Sequence, residues 1–191
     1  MYCDYDANST AAENAAKCKV TVKPRHEYYT EPITDWSLTK DELIAKLGEP
    51  TMLQNHDGVV MLQYGKVNTN PTTGKLSFID DYVTVYYIVD GAMEEIFVAH
   101  KNLSMAQVKE FLDERYALIP SWEEGDDLEY INAENEDDAT VYIEVEPGGD
   151  GTMAEANAML VMYYPSDEIV LNSAHPAAQK IGRAMSMIFG E

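Results

Sequence analysis

The chain has 191 residues, 46% of them apolar, and carries 34 acidic against 13 basic side chains, a net charge of −21. That is enough apolar material for the packed core of one large or two small domains. The charge argues strongly against a phosphate-contacting nucleic-acid surface and against docking on anionic lipid, and no apolar run reaches the roughly eighteen residues of a membrane-spanning helix.

Residues 1–32 read as a partly flexible arm. The run Asn8-Ser9-Thr10-Ala11-Ala12-Glu13-Asn14-Ala15-Ala16 is small and polar, with few large groups to bury. Both cysteines, Cys3 and Cys18, lie in it. They are either two free thiols or a pair; a bond would close a loop of about 15 residues and imply an oxidising compartment. No basic region and apolar core open the chain, so no signal peptide is visible. A cloned Met in place of a leader would look the same. Lys19-Val20-Thr21-Val22 suggests a short strand ending at Pro24, and Trp36 is expected to pack beneath the helix that follows.

That helix has the strongest local signals in the chain. Thr39 and Glu42 are spaced as a capping box, Leu38 and Leu43 as a hydrophobic staple. Leu43, Ile44 and Leu47 form an apolar stripe, Gly48 stands where a left-handed terminator belongs, and Pro50 stops continuation. Thr51–Gln54 and Val59–Tyr64 flank Asn55-His56-Asp57-Gly58 as a hairpin, and residues 65–77 read as a polar loop. Tyr82–Val89 then meets Ala92–Val98 across Asp90-Gly91, a favoured two-residue turn. Uninterrupted pairing sets Val83 opposite Val98, Val85 opposite Ile96 and Tyr87 opposite Glu94. A valine face would then meet the helices, and a face with Tyr82, Tyr86, Glu95 and Phe97 would be partly exposed.

The plan restarts at Leu103. Ser104 and Gln107 repeat the capping box, Leu103 and Val108 the staple, and Leu112 takes the place of Leu47. This helix is expected to run to about Tyr116. Leu128–Asn132, Ala139–Val145 and Ala158–Tyr164 read as strands, and Pro176–Phe189 as a C-terminal helix with an apolar stripe. The expected architecture is α+β. Two helix-plus-antiparallel-sheet repeats, residues 33–100 and 101–168, pack helices on one face of a sheet, with a C-terminal segment 169–191.

Leu38–Tyr64 resembles the helix-then-hairpin unit of the SmpA/OmlA lipoproteins and of the β-lactamase-inhibitor-protein-like fold, through Leu47-Gly48-Glu49-Pro50 and the strand ending in Tyr64. Trp36 before a capped helix, with a second helix ending at Tyr116, is also similar to uncharacterised secreted or lipid-anchored Bacteroidetes proteins. The second repeat lacks the Gly-x-Pro. The resemblance implies a non-enzymatic envelope protein that binds other proteins, and it supplies no catalytic residues.

The residues themselves offer little chemistry. His26, His56, His100 and His175 are not at metal-ligand spacing, and there is no nucleophile or phosphate-loop motif. Carboxylates are too abundant for a catalytic pair to be picked out. Asp137, Asp138 and Asp150, with Asp126 and Asp127, could supply oxygen ligands to calcium, though not at the spacing of a calcium loop. The expectation is therefore no enzyme and no cofactor unless calcium. The expected protein is a secreted or envelope protein-binding module, periplasmic or at the surface, whose contact surface is Tyr82, Tyr86, Glu95 and Phe97. A calcium- or carbohydrate-binding surface protein is the alternative, and a cytoplasmic location stays open.

Overall fold

The computed structural model describes residues 2–3, 18–19, 28–70, 72, 76–119, 128–134, 136–147 and 158–166. The expected C-terminal helix at 176–189, Asp126, Asp127, Asp150, His26 and His175 lie outside the described residues.

Both capped helices form. Helix α1 is Lys40–Leu47, with the Glu42 amide donating to Thr39 Oγ1 at 3.3 Å and the Glu42 carboxylate accepting from the Thr39 amide at 3.0 Å. Gly48 closes it at φ 85°, a conformation that suits a residue without a Cβ. Helix α2 is Met105–Asp113, capped in the same way by Ser104 and Gln107. It stops a turn before Tyr116.

The rest is mostly strand. The described strands are β1 (Tyr2–Cys3), β2 (Cys18–Lys19), β3 (Met52–His56), β4 (Val59–Tyr64), β5 (Val67–Thr69), β6 (Leu76–Phe78), β7 (Tyr82–Val89), β8 (Ala92–His100), β9 (Ala117–Leu118), β10 (Leu128–Ile131), β11 (Val141–Pro147) and β12 (Met159–Pro165). Eight of them form one antiparallel sheet in the order β3-β4-β7-β8-β12-β11-β10-β9. The pairs β1–β2 and β5–β6 stand apart as two-stranded ribbons, the first setting Cys3 opposite Cys18 along the backbone. The second occupies part of the segment expected to be a polar loop.

This overturns the α+β expectation. The molecule is mainly β, with one sheet running unbroken across the expected boundary at residues 100 and 101 and only two short helices among the described residues. It is not a pair of helix-plus-sheet repeats. Capping boxes and staples are local signals, set by residues within about one helical turn. The seam that unites the sheet, Ile96–His100 of β8 against Met159–Tyr163 of β12, joins residues far apart in sequence and has no local mark.

The β7–β8 hairpin also departs from its expected register. Val89 pairs with Ala92 and Ile88 with Met93, as a two-residue turn requires, but a bulge follows and Tyr87 pairs with Glu95. Beyond it Tyr86 faces Ile96, Val85 faces Phe97 and Thr84 faces Val98. One extra residue moves every later β8 side chain to the opposite face. The face expected to be partly exposed therefore meets the helices, and the valine face turns away from them yet is buried as well. Tyr86, Ile88, Ile96 and Val98 share a core with Leu43 of α1 and Val108, Phe111 and Leu112 of α2. Val83, Val85, Tyr87 and Val89 lie on the other face with Val59, Met61 and Ala99, where Phe78 of β6 packs against them.

A segment before α1 crosses the first face. Tyr29 is buried there, its hydroxyl 2.5 Å from that of Tyr163 and its ring 4.7 Å from Phe111. Ile33 donates its amide to the Tyr86 hydroxyl at 3.1 Å, and Trp36 Nε1 donates to the Thr140 carbonyl at 2.9 Å. Trp36 also packs on the helix-side core.

Candidate functional site

The bulge separates the residues expected to form one contact surface. Tyr82 and Tyr86 face the helix side, whereas Glu95 and Phe97, paired with Tyr87 and Val85, face the other. Tyr86 is only 2% exposed and serves as core; burial, slightly offset by the Ile33 amide, pushes its hydroxyl up to about 12. Tyr82 is half-buried and stacks on His100 with ring centroids 5.7 Å apart. Phe97 is partly buried against the second core.

Glu95 instead belongs to a polar patch on the second face. Strand register puts Glu129 of β10 opposite Glu144 of β11, and Glu144 opposite Met162 of β12, which pairs with Phe97 beside Glu95. Tyr142 pairs with Tyr164 one row along, their rings 6.3 Å apart. Burial, and then the Glu144 charge, pushes Glu95 up to about 7. Burial raises the Tyr164 hydroxyl well above its ordinary value, reinforced by Glu95, Glu144 and Glu146. Near neutrality the patch therefore holds a carboxyl group shared between its donor and acceptor forms, bordered by Tyr164, which stays protonated.

Asp137 and Asp138 are exposed on a 3₁₀ turn, Glu136–Asp138. Among the described residues no three His, Cys, Asp or Glu side chains gather as metal ligands. Of the described histidines, His56 is exposed at the end of β3 and His100 is buried between Tyr29 and Tyr82.

A second feature went unforeseen. Among the described strands β3 is the outer one of the sheet and pairs only with β4. Its Leu53 is 50% exposed, and Leu47 at the end of α1 is 39% exposed. Leu53 pairs with Leu62, a residue of the helix-side core. On the same face the Tyr64 hydroxyl donates to the Gly48 carbonyl at 3.1 Å, tying the end of α1 down beside the sheet. The sequence shows only that Met52–His56 carries no formal charge; that the strand is an edge follows from strand order, which has no local mark.

Comparison with known proteins assigns no family: no family model matches the chain, and no curated protein does. Among solved structures, it is similar to an extracellular protein containing a SCP domain from Bacillus anthracis str. Ames, at 13% identity and a TM-score of 0.33. The match covers 80% of this chain and 52% of that one, so the chain spans about half of that protein's length. Among the described residues no helix is long and apolar enough to cross a membrane.

Proposed function

We propose that this chain is a non-enzymatic protein-binding module of the cell envelope or of the secreted fraction. The observation that carries the reading is an acidic molecule, net charge −21, that leaves Leu53 exposed on the outer described strand of the sheet and Leu47 exposed at the end of α1. Exposed apolar groups inside a charged rim are the usual composition of a protein contact surface. The contact surface shifts from Tyr86, which serves the core, to this edge and the exposed Glu49 and Asp57 at its ends.

The test is quantitative capture by the immobilised chain from envelope and cytosolic fractions of the producing organism, at low and high salt. A saturable partner from the envelope fraction, weakened as salt screens the acidic rim, is the expected result. Saturable binding confined to cytosolic proteins, or none, refutes the reading.

A further inference from the structure

We infer that the edge of β3 takes up an extended, cationic segment of a partner protein as a ninth strand of the sheet. The inference rests on the protein-binding reading and names its mode and partner chemistry.

The backbone geometry comes first. Asp57 and Gly58 have φ of 51° and 83°, a two-residue hairpin turn with both central residues left-handed. In such a hairpin the flanking residues, His56 and Val59, exchange hydrogen bonds, and bonded and non-bonded pairs alternate from there. Gln54 with Met61 and Met52 with Gln63 are then the next bonded pairs. The N–H and C=O groups of Leu53 and Asn55 point away from β4, to the side where no described strand lies. They offer the donor–acceptor ladder that strand addition uses.

The two ends of the sheet differ in protection. At the far end β9 has only two residues, Ala117–Leu118, too short to template a strand. At this end β3 has five, with no proline, no lysine and no carboxylate among Met52, Leu53, Gln54, Asn55 and His56. Within Met52–His56 no proline or charged side chain blunts the edge, and its central apolar side chain is half exposed.

Charge selects the occupant. Glu49 and Asp57 are exposed at the two ends of the strand, and the whole chain carries −21. A second copy would bring an equal negative charge to the same edge. A segment rich in lysine or arginine meets complementary charge, and an apolar side chain on its helix-side face lies beside Leu53.

Hydrogen exchange by NMR on the full chain tests this, with a short blocked peptide alternating lysine and valine as the probe and its glutamate–valine counterpart as control. At millimolar lysine–valine peptide, the Leu53 and Asn55 amides should slow by about tenfold or more, with little change under the control. Asn55→Pro deletes an outward donor and leaves the β4 ladder in place, as edge strands allow, and should weaken binding by about tenfold. Leu53→Lys, which keeps the backbone intact, should weaken it similarly. Unchanged exchange at Leu53 and Asn55, or equal protection by the control, overturns the inference. So does protection without peptide that grows with protein concentration, which would make a second copy the occupant. Loss of the edge with envelope capture retained would remove strand addition alone and leave the binding-module reading standing.

Discussion

Replacing Glu95 by glutamine tests the second face of the sheet directly. The folded protein holds the Glu95 carboxyl near 7 against an ordinary value of 4.5, through burial and the charge of Glu144. Between those two values the unfolded chain releases its proton and the folded chain keeps it. Stability from this group therefore falls as pH rises through that window, and the loss is complete above about 7. At about 1.4 kcal/mol per pH unit the displacement corresponds to about 3 kcal/mol. The side chain keeps partial solvent contact, which trims the effect to about 2 kcal/mol. Glu95→Gln keeps the shape and removes the titration. In urea unfolding the variant should match the parent near pH 4 and exceed it by about 2 kcal/mol at pH 8. The repulsion common to both chains cancels in that difference. Glu144→Gln should lower the Glu95 midpoint, read by the carboxyl carbon shift in NMR. A variant-minus-parent difference that stays flat from pH 4 to pH 8 refutes the placement of Glu95 in a buried, like-charged setting.

Other predictions follow from the packing. Gly65 lies at φ 93°, and a Cβ there would come within 2.4 Å of the Tyr82 carbonyl. Gly65→Ala should cost about 2 kcal/mol or more in thermal or urea unfolding; a neutral effect would mean that β4 and β7 do not approach as described. Leu112, fully buried between α2 and the sheet, should cost about 2–5 kcal/mol on truncation to alanine, and a loss under 1 would argue against that core. Thr39→Ala and Ser104→Ala should each cost about 1 kcal/mol, and they should add in the double variant because the caps share no partner. Burial raises the Tyr86 hydroxyl to about 12 and those of Tyr29 and Tyr163 further. In an alkaline absorbance titration these tyrosines should ionise only with unfolding, whereas a single smooth transition near 10 would contradict their burial.

What the sequence displayed was local. Thr39 with Glu42 and Ser104 with Gln107 mark their helices within four residues, and Asp90-Gly91 marks its turn within two. Long-range pairing was invisible, since nothing in Ile96–His100 designates Met159–Tyr163 as its neighbour. The bulge lay between these extremes. Apolar Met93 and Ile96 flank two successive glutamates, so strict alternation fails where the strand gains its extra residue. Read that way, Tyr86 moves into the core and Glu95 onto the opposite face, which redraws the site. The edge at Leu53 was missed because a half-exposed leucine cannot be told from a buried one until strand order is known.

The seam between β8 and β12 has a consequence during synthesis. β8 carries Ile96, Val98 and Ala99, all buried once β12 is in place. β12 ends at Pro165. A ribosome adding about 5–20 residues per second leaves that apolar border uncovered for several seconds or more after β8 has emerged. A nascent chain holding only the first four strands of the sheet ends in a sticky edge. Truncation after His100 should therefore yield aggregates instead of a soluble half, and successful production depends on keeping the unfinished chain solvated until its last strands arrive.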